Sequence, residues 1–340
     1  MEAFYEFEKP IVLLEKKLAD LRQLSKDEGM DFKNEILSLE KKVAKLIDDT
    51  YSNLSPWQLV QVSRHPNRPY TRDFVDALFT DFMDLAGDRT YAEDCAILGG
   101  TAMWDMGGGT GKVPVMILGH QKGRSTKQKM ERNFGMAKPE GYRKAMRLLE
   151  LASRTQMPVV TFIDTPGAYP GLEAEERGQS QAIAESIRMM FGIKVPVVSI
   201  VIGEGGSGGA LAIGIADRVL MMEYSTYSVI SPESCASILW NDSGLAERAA
   251  EKLKMNPKEL LALGVVDAII PEPMGGAQRD WTTTFENTRK ALVKNLNPLL
   301  RAQSKASNTK KLLADRHAKF REMGESAFTQ VRARSEDRSQ

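Results

Sequence analysis

Only two cysteines, Cys95 and Cys235, occur among the 340 residues, and no CxxC pair exists. That leaves too few thiols for a structural zinc knuckle built within the chain. Histidine is scarcer than in most metal-dependent enzymes, with His65, His120 and His317 as the full set. Neither sign of charge dominates: 46 basic against 45 acidic side chains leave a net charge of +1. Whole-chain electrostatics of the kind that drives nucleic-acid binding is therefore excluded as the main activity. No apolar run approaches the ~18 residues of a membrane span. The opening MEAFYEFEKP is acidic and aromatic, the reverse of a signal or transit peptide. A soluble, reduced, cytoplasmic protein is expected. The apolar share of 42% rules out wholesale disorder and collagen-like structure.

What is present divides into three stretches. Phe7, Ile11, Leu14, Leu18 and Leu21 alternate spacings of four and three, as do Ile36, Leu39, Val43 and Leu46. Charged residues fill the gaps, so residues 1–52 read as an antiparallel helical hairpin broken near Gly29. It closes the edge of its own domain or meets a partner. Residues 53–300 read as an α/β domain, with apolar strand candidates AILGGTAMW from Ala96, VPVMILG from Val113, PVVTFID from Pro158, VPVVSIVI from Val195, RVLMME from Arg218 and VVDAIIP from Val265. The first two flank the turn GGGTGK and form an antiparallel hairpin. Later strands are separated by the helical stretches EGYRKAMRLLELASRT and EERGQSQAIAESIRMMFG, which implies a buried, mostly parallel sheet. Residues 301–340 form a helical tail whose end, ARSEDRSQ, frays.

Glycine carries most of the chemical signal. In GEGGSGGALAIGIAD, Gly203, Gly205 and Gly208 satisfy the dinucleotide fingerprint literally, with Glu223 twenty residues beyond Gly203. Against that, the following helix is too short for a nucleotide-binding crossover. The alternative is an oxyanion site in which the amides of Gly208 and Gly209, lacking intrahelical acceptors, receive a developing negative charge. Tight packing of helix on sheet explains the same glycines and fits either function. The segment FIDTPGAYPGLEAEERGQ holds a DTPG turn, but no P-loop accompanies it, because Met106 and Val113 stand where the motif needs Gly and Ser or Thr. Its Glu173, Glu175 and Glu176 suit a first helical turn better than paired-carboxylate chemistry.

From Lys122 to Arg147 nine basic residues face only Glu131 and Glu140, a local patch for the phosphates of a cofactor, for nucleic acid or for water alone. No serine is expected in a G-x-S-x-G elbow, and no histidine and aspartate stand out as its partners. Backbone donors are plentiful and side-chain bases are few. That suits a reaction in which a carbonyl-type oxygen gains charge and the substrate brings its own base.

GHQKGR, RNFGMAKPEGYRKA, FIDTPGAYPG with AEERGQS, GEGGSGGALAIG and STYSVISPE together resemble the carboxyltransferase alpha subunits of bacterial-type acetyl-CoA carboxylase, from the N-terminal helices to about Asp280. The resemblance implies a crotonase-like fold, a spiral of ββα units with the helical hairpin and tail as additions. It implies an α2β2 assembly with a beta subunit that carries a zinc ribbon. It further implies transfer of a carboxyl group from carboxybiotin, on the biotin carboxyl carrier protein, to acetyl-CoA. The product is malonyl-CoA for fatty acid biosynthesis, and a separate biotin carboxylase consumes ATP. Gly208 and Gly209 are then the amides that hold the ureido oxygen of biotin. Gly206, Ser207, Ala210, the loop Gly167, Ala168, Tyr169, Pro170 and Gly171, and Lys122 with Arg132 would line the substrate. No metal ligand is expected here. Two departures from the family pattern are Ser234, where glycine is usual, and the expanded GGGTG turn.

Overall fold

The computed structural model describes residues 4–27, 31–303 and 308–323. Its centre is an eight-stranded sheet: β1 (Thr80–Asp84), β2 (Ile97–Asp105), β3 (Lys112–His120), β4 (Val159–Thr165), β5 (Val197–Gly206), β6 (Arg218–Met222), β7 (Thr226–Ser228) and β8 (Ala268–Ile270). The spatial order is β1-β2-β3-β4-β5-β6-β8, with β7 paired to the far end of β5. The expected hairpin forms, with Ile97 opposite His120 and Asp105 opposite Lys112. From β3 through β6 to β8 the strands run parallel.

Side chains alternate between two buried faces, as the pleat requires. Met116, Leu118, Val159, Ile163, Val197, Val201, Val219 and Met221 share one face, beneath helices Pro139–Arg154 and Gln179–Gly192. Val115, Ile117, Val160, Phe162, Val198, Ile200, Leu220 and Met222 point the other way, into helices Thr71–Leu78 and Trp281–Gln303. Two faces buried along the same strands explain why these strands read as continuous apolar runs.

Several elements depart from the sequence expectation. β1 and β7 were not foreseen: TDFMD is a polar, mostly exposed edge strand, and β7 spans only three residues. The stretch from Glu175 to Gly192 is not one helix. A short helix, Leu172–Glu176, ends before Gly178 at φ +79°, and Gln179–Gly192 starts afresh. The helix after the glycine run is Ser207–Leu211 rather than a run to Asp217, because β5 continues through Gly206. Helix Trp281–Gln303 passes unbroken through position 300. The break at Gly29 and the tail ARSEDRSQ lie outside the described residues.

The N-terminal helices Lys9–Asp27 and Lys33–Tyr51 pack together and dock on the domain through Ile11, Val43, Ile47, Tyr51 and Val62. Tyr51 donates to Glu8 at 2.5 Å, and Arg279 pairs with Glu15 at 2.6 Å. The hairpin therefore closes its own domain, while Leu13, Leu24 and Leu37 remain exposed on its outer side.

The C-terminal helix Asn308–Glu322 is held by one buried residue. Arg316 donates to both oxygens of Asp217, at 2.9 and 2.8 Å, and to the carbonyls of Met190, Ile193 and Val195. Asp217 also accepts the Val197 amide at 2.7 Å, so the tail is wired to the start of β5. Arg316→Met leaves a buried carboxylate without its cation and should cost about 3–5 kcal/mol. Urea unfolding of the two proteins measures it; a cost below about 1 kcal/mol would place the anchor elsewhere.

Candidate active site

β4 and β5 are parallel neighbours, with Thr165 opposite Gly205, and their C-terminal ends deliver the two glycine-rich segments to one place. After β4 the chain turns under control of Thr165, whose hydroxyl accepts the Gly167 amide at 3.1 Å and donates to the Gly167 carbonyl at 2.7 Å. After Gly206 the backbone reverses at Ser207, with φ +55°, into the helix Ser207–Leu211. The two turns meet backbone to backbone. A β-carbon on Gly206 would strike the Pro166 carbonyl; one on Gly209 would lie 2.5 Å from the Ala168 nitrogen and 3.0 Å from the Tyr142 hydroxyl. Glycine is required here by close approach.

The amides of Gly208 and Gly209 fall in the first helical turn, where the residues four back belong to β5 and offer no helical acceptor. Among the described residues neither amide donates to a backbone carbonyl or a side chain. Gly208 is half-buried and Gly209 buried. A helix of five residues has little macrodipole, so the donors act as local N–H groups and not through an aligned helix.

The dinucleotide reading fails on the same geometry. Gly203 and Gly205 are strand residues: a β-carbon at Gly203 would stand 2.5 Å from Asp164 Oδ1, and one at Gly205 would press on the Tyr227 ring. The sequence reading also passed over one pattern. Gly205-Gly206-Ser207-Gly208-Gly209 fits the G-x-S-x-G spacing, and positive φ at a strand-to-helix turn is elbow geometry. Neither His120, fully buried with both ring nitrogens unpartnered, nor His317, stacked on Phe191, bonds Ser207.

The remaining expected residues are distributed around this turn. Tyr169 is pinned by its amide to the Ala137 carbonyl at 3.0 Å and by the Gln179 amide group on its own carbonyl at 2.9 Å. Its ring lies 4.7 Å from the Lys138 ammonium. Pro170 is exposed, and Gly171 packs against the Tyr169 ring at the start of Leu172–Glu176. Glu173 pairs with Lys138 at 3.3 Å, and hydrogen bonding from its own amide holds its carboxyl below the ordinary range, as a first-turn acid should behave.

Lys122 belongs to a charge relay at the strand ends that the sequence did not announce. Its ammonium lies 2.7 Å from Asp164 and 3.6 Å from Glu204. The Glu204 amide donates to the same Asp164 oxygen at 3.1 Å. Arg64 then links Glu204, at 2.7 Å, to Glu233 at 2.5 Å. Burial opposes the charge on Lys122, but the two carboxylates outweigh it and its pKa is raised.

The other basic residues are largely occupied. Arg143 pairs with Asp88 and Glu140, Lys144 with Glu93, and Arg147 with the carbonyls of Leu85, Ala86 and Gly87. Arg132 donates to the Cys95 carbonyl at 3.0 Å. With Lys122 and Arg124 it borders a hollow of about 360 Å³ that Asp73, Asp84 and Glu93 also line. Of the nine basic residues counted along the sequence, Lys122, Arg124, Lys138, Arg143 and Lys144 are ion-paired in space. Of the two departures, Ser234 sits exposed in the first turn of Pro232–Trp240, where its amide is capped by Ser231 at 3.2 Å. Gly107, Gly108, Gly109 and Gly111 all have positive φ with open space around them.

Two buried polar residues have side-chain atoms without a hydrogen bond, and one of them, Tyr142, stands beside Gly209. His120 has both ring nitrogens unpartnered, and burial pushes its pKa down to about 3, so the ring is neutral. Tyr142 is fully buried with its hydroxyl unpartnered. Among the described residues no group of His, Cys, Asp and Glu side chains could hold a metal ion, and no helix is long and apolar enough to cross a membrane.

Comparison with known proteins gives a consistent picture. The family model described as acetyl co-enzyme A carboxylase carboxyltransferase-like matches residues 4–324. The chain is 51% identical over 331 residues to the acetyl-coenzyme A carboxylase carboxyl transferase subunit alpha of Thiobacillus denitrificans, covering 97% of this chain and 99% of that one. It is 56% identical over 299 residues to the protein of the same description from Vibrio atlanticus, covering 87% and 92%. Among solved structures, transcarboxylase 12S with methylmalonyl-coenzyme A and methylmalonic acid bound superposes with a TM-score of 0.54 at 18% identity, over 69% of this chain and 42% of that one. A Pseudomonas malonate decarboxylase hetero-tetramer in complex with coenzyme A gives 0.53 at 17% identity, over 71% and 90%.

Lys122→Met would leave Asp164 and Glu204 buried without an ammonium, and should cost about 3 kcal/mol at pH 8. Because the pKa of Lys122 is raised, its contribution is complete below the unfolded value of about 10.4 and fades as pH climbs through the higher folded value. Unfolding of wild type and variant across alkaline pH measures the gap. Equal stability at pH 8 would mean the relay adds nothing.

Proposed function

The chain belongs to the acetyl co-enzyme A carboxylase carboxyltransferase-like family, and from that membership we propose that it works as the alpha half of a carboxyltransferase that converts acetyl-CoA to malonyl-CoA, the entry to fatty acid synthesis. Its fold is the crotonase-like α/β fold of carboxyltransferases, with helical additions at both ends. The observation that carries the site assignment is the pair of unused amides at Gly208 and Gly209.

Carboxybiotin, delivered on a carrier protein, supplies the carboxyl group and brings its own base. The residues of this chain bind and stabilise. Gly208 and Gly209 donate their N–H groups to the ureido oxygen, where charge builds as the carboxyl group departs; one such donor is typically worth about 2.7–4 kcal/mol. The backbone from Gly167 to Gly171 forms the adjacent wall, stiffened by Thr165 below it and Gln179 behind Tyr169. Gly206, Ser207 and Ala210 complete the turn. Lys122 holds the ends of β4 and β5 in register through Asp164 and Glu204, and Arg132 fastens the neighbouring loop to Cys95. No side chain is needed as a base, in keeping with a neutral, sealed His120.

The missing half of the chemistry belongs to a partner. We assign the acyl-CoA side to a beta subunit in an α2β2 assembly, with zinc confined to that subunit. A biotin carboxyl carrier protein and an ATP-consuming biotin carboxylase complete the system, in the cytoplasm.

Gly209→Val places a branched side chain where the Ala168 nitrogen and Tyr142 hydroxyl already crowd. In the reconstituted complex it should lower malonyl-CoA formation by at least about 100-fold. Turnover near wild type refutes the site. The purified chain alone should show no transfer until the beta subunit is added; activity without it would refute the shared-site assignment.

A further inference from the structure

The strand ends that carry the two glycine turns have different surroundings on either side. Beyond β5, Ser228 pairs with Gly206 in the ladder. The chain then runs through Val229 into the helix Pro232–Trp240, which Arg64 ties back to Glu204. Val229, Ile238 and Leu239 are 77%, 74% and 63% exposed on this flank, an apolar face of the kind that permanent interfaces cover. On the other flank, beside β3, lies Gly135. A β-carbon there would stand 2.8 Å from Lys122 Cγ and 3.1 Å from the Asp164 carbonyl oxygen. Two residues on, the Ala137 carbonyl accepts the Tyr169 amide at 3.0 Å. The helix Thr126–Glu131 and the turn Asn133–Gly135 therefore deliver their side chains to the edge of the candidate site.

That turn holds a conformational outlier. Asn133, Phe134 and Gly135 take φ of 45°, 58° and 85° in succession. Glycine is at ease in the left-handed region and asparagine tolerates it, but a phenylalanine there is strained. Neighbours enforce the shape: the Gly135 amide donates to the Arg132 carbonyl at 2.8 Å, the Met136 amide to the Asn133 carbonyl at 2.9 Å, and the Arg132 side chain to the Cys95 carbonyl at 3.0 Å. Burial does not repay the strain. Phe134 is 52% exposed, and among the described residues its ring meets no other ring and no cation. Strain that holds an apolar ring in solvent beside a site points to a contact made from outside. Met130, four residues earlier, is 67% exposed. Lys127 and Lys129 adjoin it, and among the described residues neither ammonium has a partner, Glu131 included. They are the charges of the basic stretch that its ion pairs and carbonyl contacts leave over.

We propose that Met130 and Phe134, flanked by Lys127 and Lys129, form the docking surface for an acidic face of the carrier protein that brings carboxybiotin to the glycine turn. The proposal rests on the reading of this chain as a carboxyltransferase half. A carrier must arrive and leave in every turnover, which suits two apolar anchors with free charges around them: the anchors hold and the charges steer. A permanent subunit needs a broader apolar face, and that face lies on the opposite flank. The fitting partner surface is an apolar recess bordered by aspartate or glutamate.

The test uses the complete complex with the beta subunit and compares wild type, Phe134→Gly and the double variant Lys127→Glu/Lys129→Glu. Carboxyl transfer is measured from malonyl-CoA, which leaves as acetyl-CoA, to the ureido nitrogen of either free biotin or the biotinylated carrier protein. Glycine accepts the left-handed turn, and the two lysines are on the surface, so thermal unfolding should find both variants folded. KM for the carrier should rise about tenfold or more in Phe134→Gly. In the double variant it should rise as well, and carrier binding should lose its weakening by salt. KM for free biotin, kcat and the mass of the complex should stay at wild-type values. An equal rise in KM for free biotin would make Phe134 part of the small-molecule pocket and overturn the proposal. Loss of the beta subunit would make the surface a subunit interface and overturn it too. Unchanged carrier KM in both variants would leave a solvated face and no docking site. Transfer to neither form of biotin by the wild-type complex would instead bring down the carboxyltransferase reading, and this proposal with it.

Discussion

The contact between two stretches of bare backbone governs this molecule. Gly206 lies against the Pro166 carbonyl, and Gly209 against the Ala168 nitrogen, with no room for a β-carbon at either place. The turns after β4 and β5 are thus interlocked at main-chain distance, and the shape of each depends on the other. Parallel neighbours make this possible, because both chains arrive at the same end of the sheet with Thr165 and Gly205 in register. A side chain here would push the turns apart. The site is consequently a property of backbone geometry, and the side chains nearby hold that geometry in place.

Holding it requires charge, which is unusual for the inner end of a sheet. Asp164 and Glu204 follow consecutive apolar strands into a region of low exposure, where carboxylates without partners would be costly. Lys122 and Arg64 satisfy them and in doing so connect β3, β4 and β5 with the helices Pro56–Ser63 and Pro232–Trp240. Arg68 does similar work one layer below, meeting Glu272 at 2.8 and 2.7 Å and the Ile202 carbonyl at 2.9 Å. Such pairs contribute modestly to net stability, but they fix register and orientation where hydrophobic contacts are nondirectional.

The strands were legible because they are buried on both faces: runs such as PVVTFID and VPVVSIVI have no other reading with so many β-branched residues. Their ends were not. Gly203 to Gly206 looked like a loop by composition, and only the Asp164 and Tyr227 side chains filling the space beside Gly203 and Gly205 show why glycine occurs within a strand. β1 was missed because an exposed edge strand needs no apolar pattern. Gly208 and Gly209 were visible from motif and helix-end logic, although the dipole half of that logic does not survive a five-residue helix. Arg64, Glu204 and Tyr142 were not visible. Their roles depend on partners from 40 to 169 residues away or on a hydroxyl placed by a distant helix, and no local pattern encodes that. The basic stretch shows the converse: charges adjacent in sequence read as a patch, while in space Asp88, Glu93 and Glu140 pair with Arg143 and Lys144 at its C-terminal end.

On the proposed reading the chain supplies donors and the substrate brings the base. The three histidines are buried, packed or stacked, and the carboxylates near the turn are tied to Lys122 and Arg64. An ionised base beside Gly208 and Gly209 would repel the charge those amides are placed to receive. Excluding bases is therefore as much a part of the design as presenting donors. Complete burial keeps both His120 and Tyr142 uncharged.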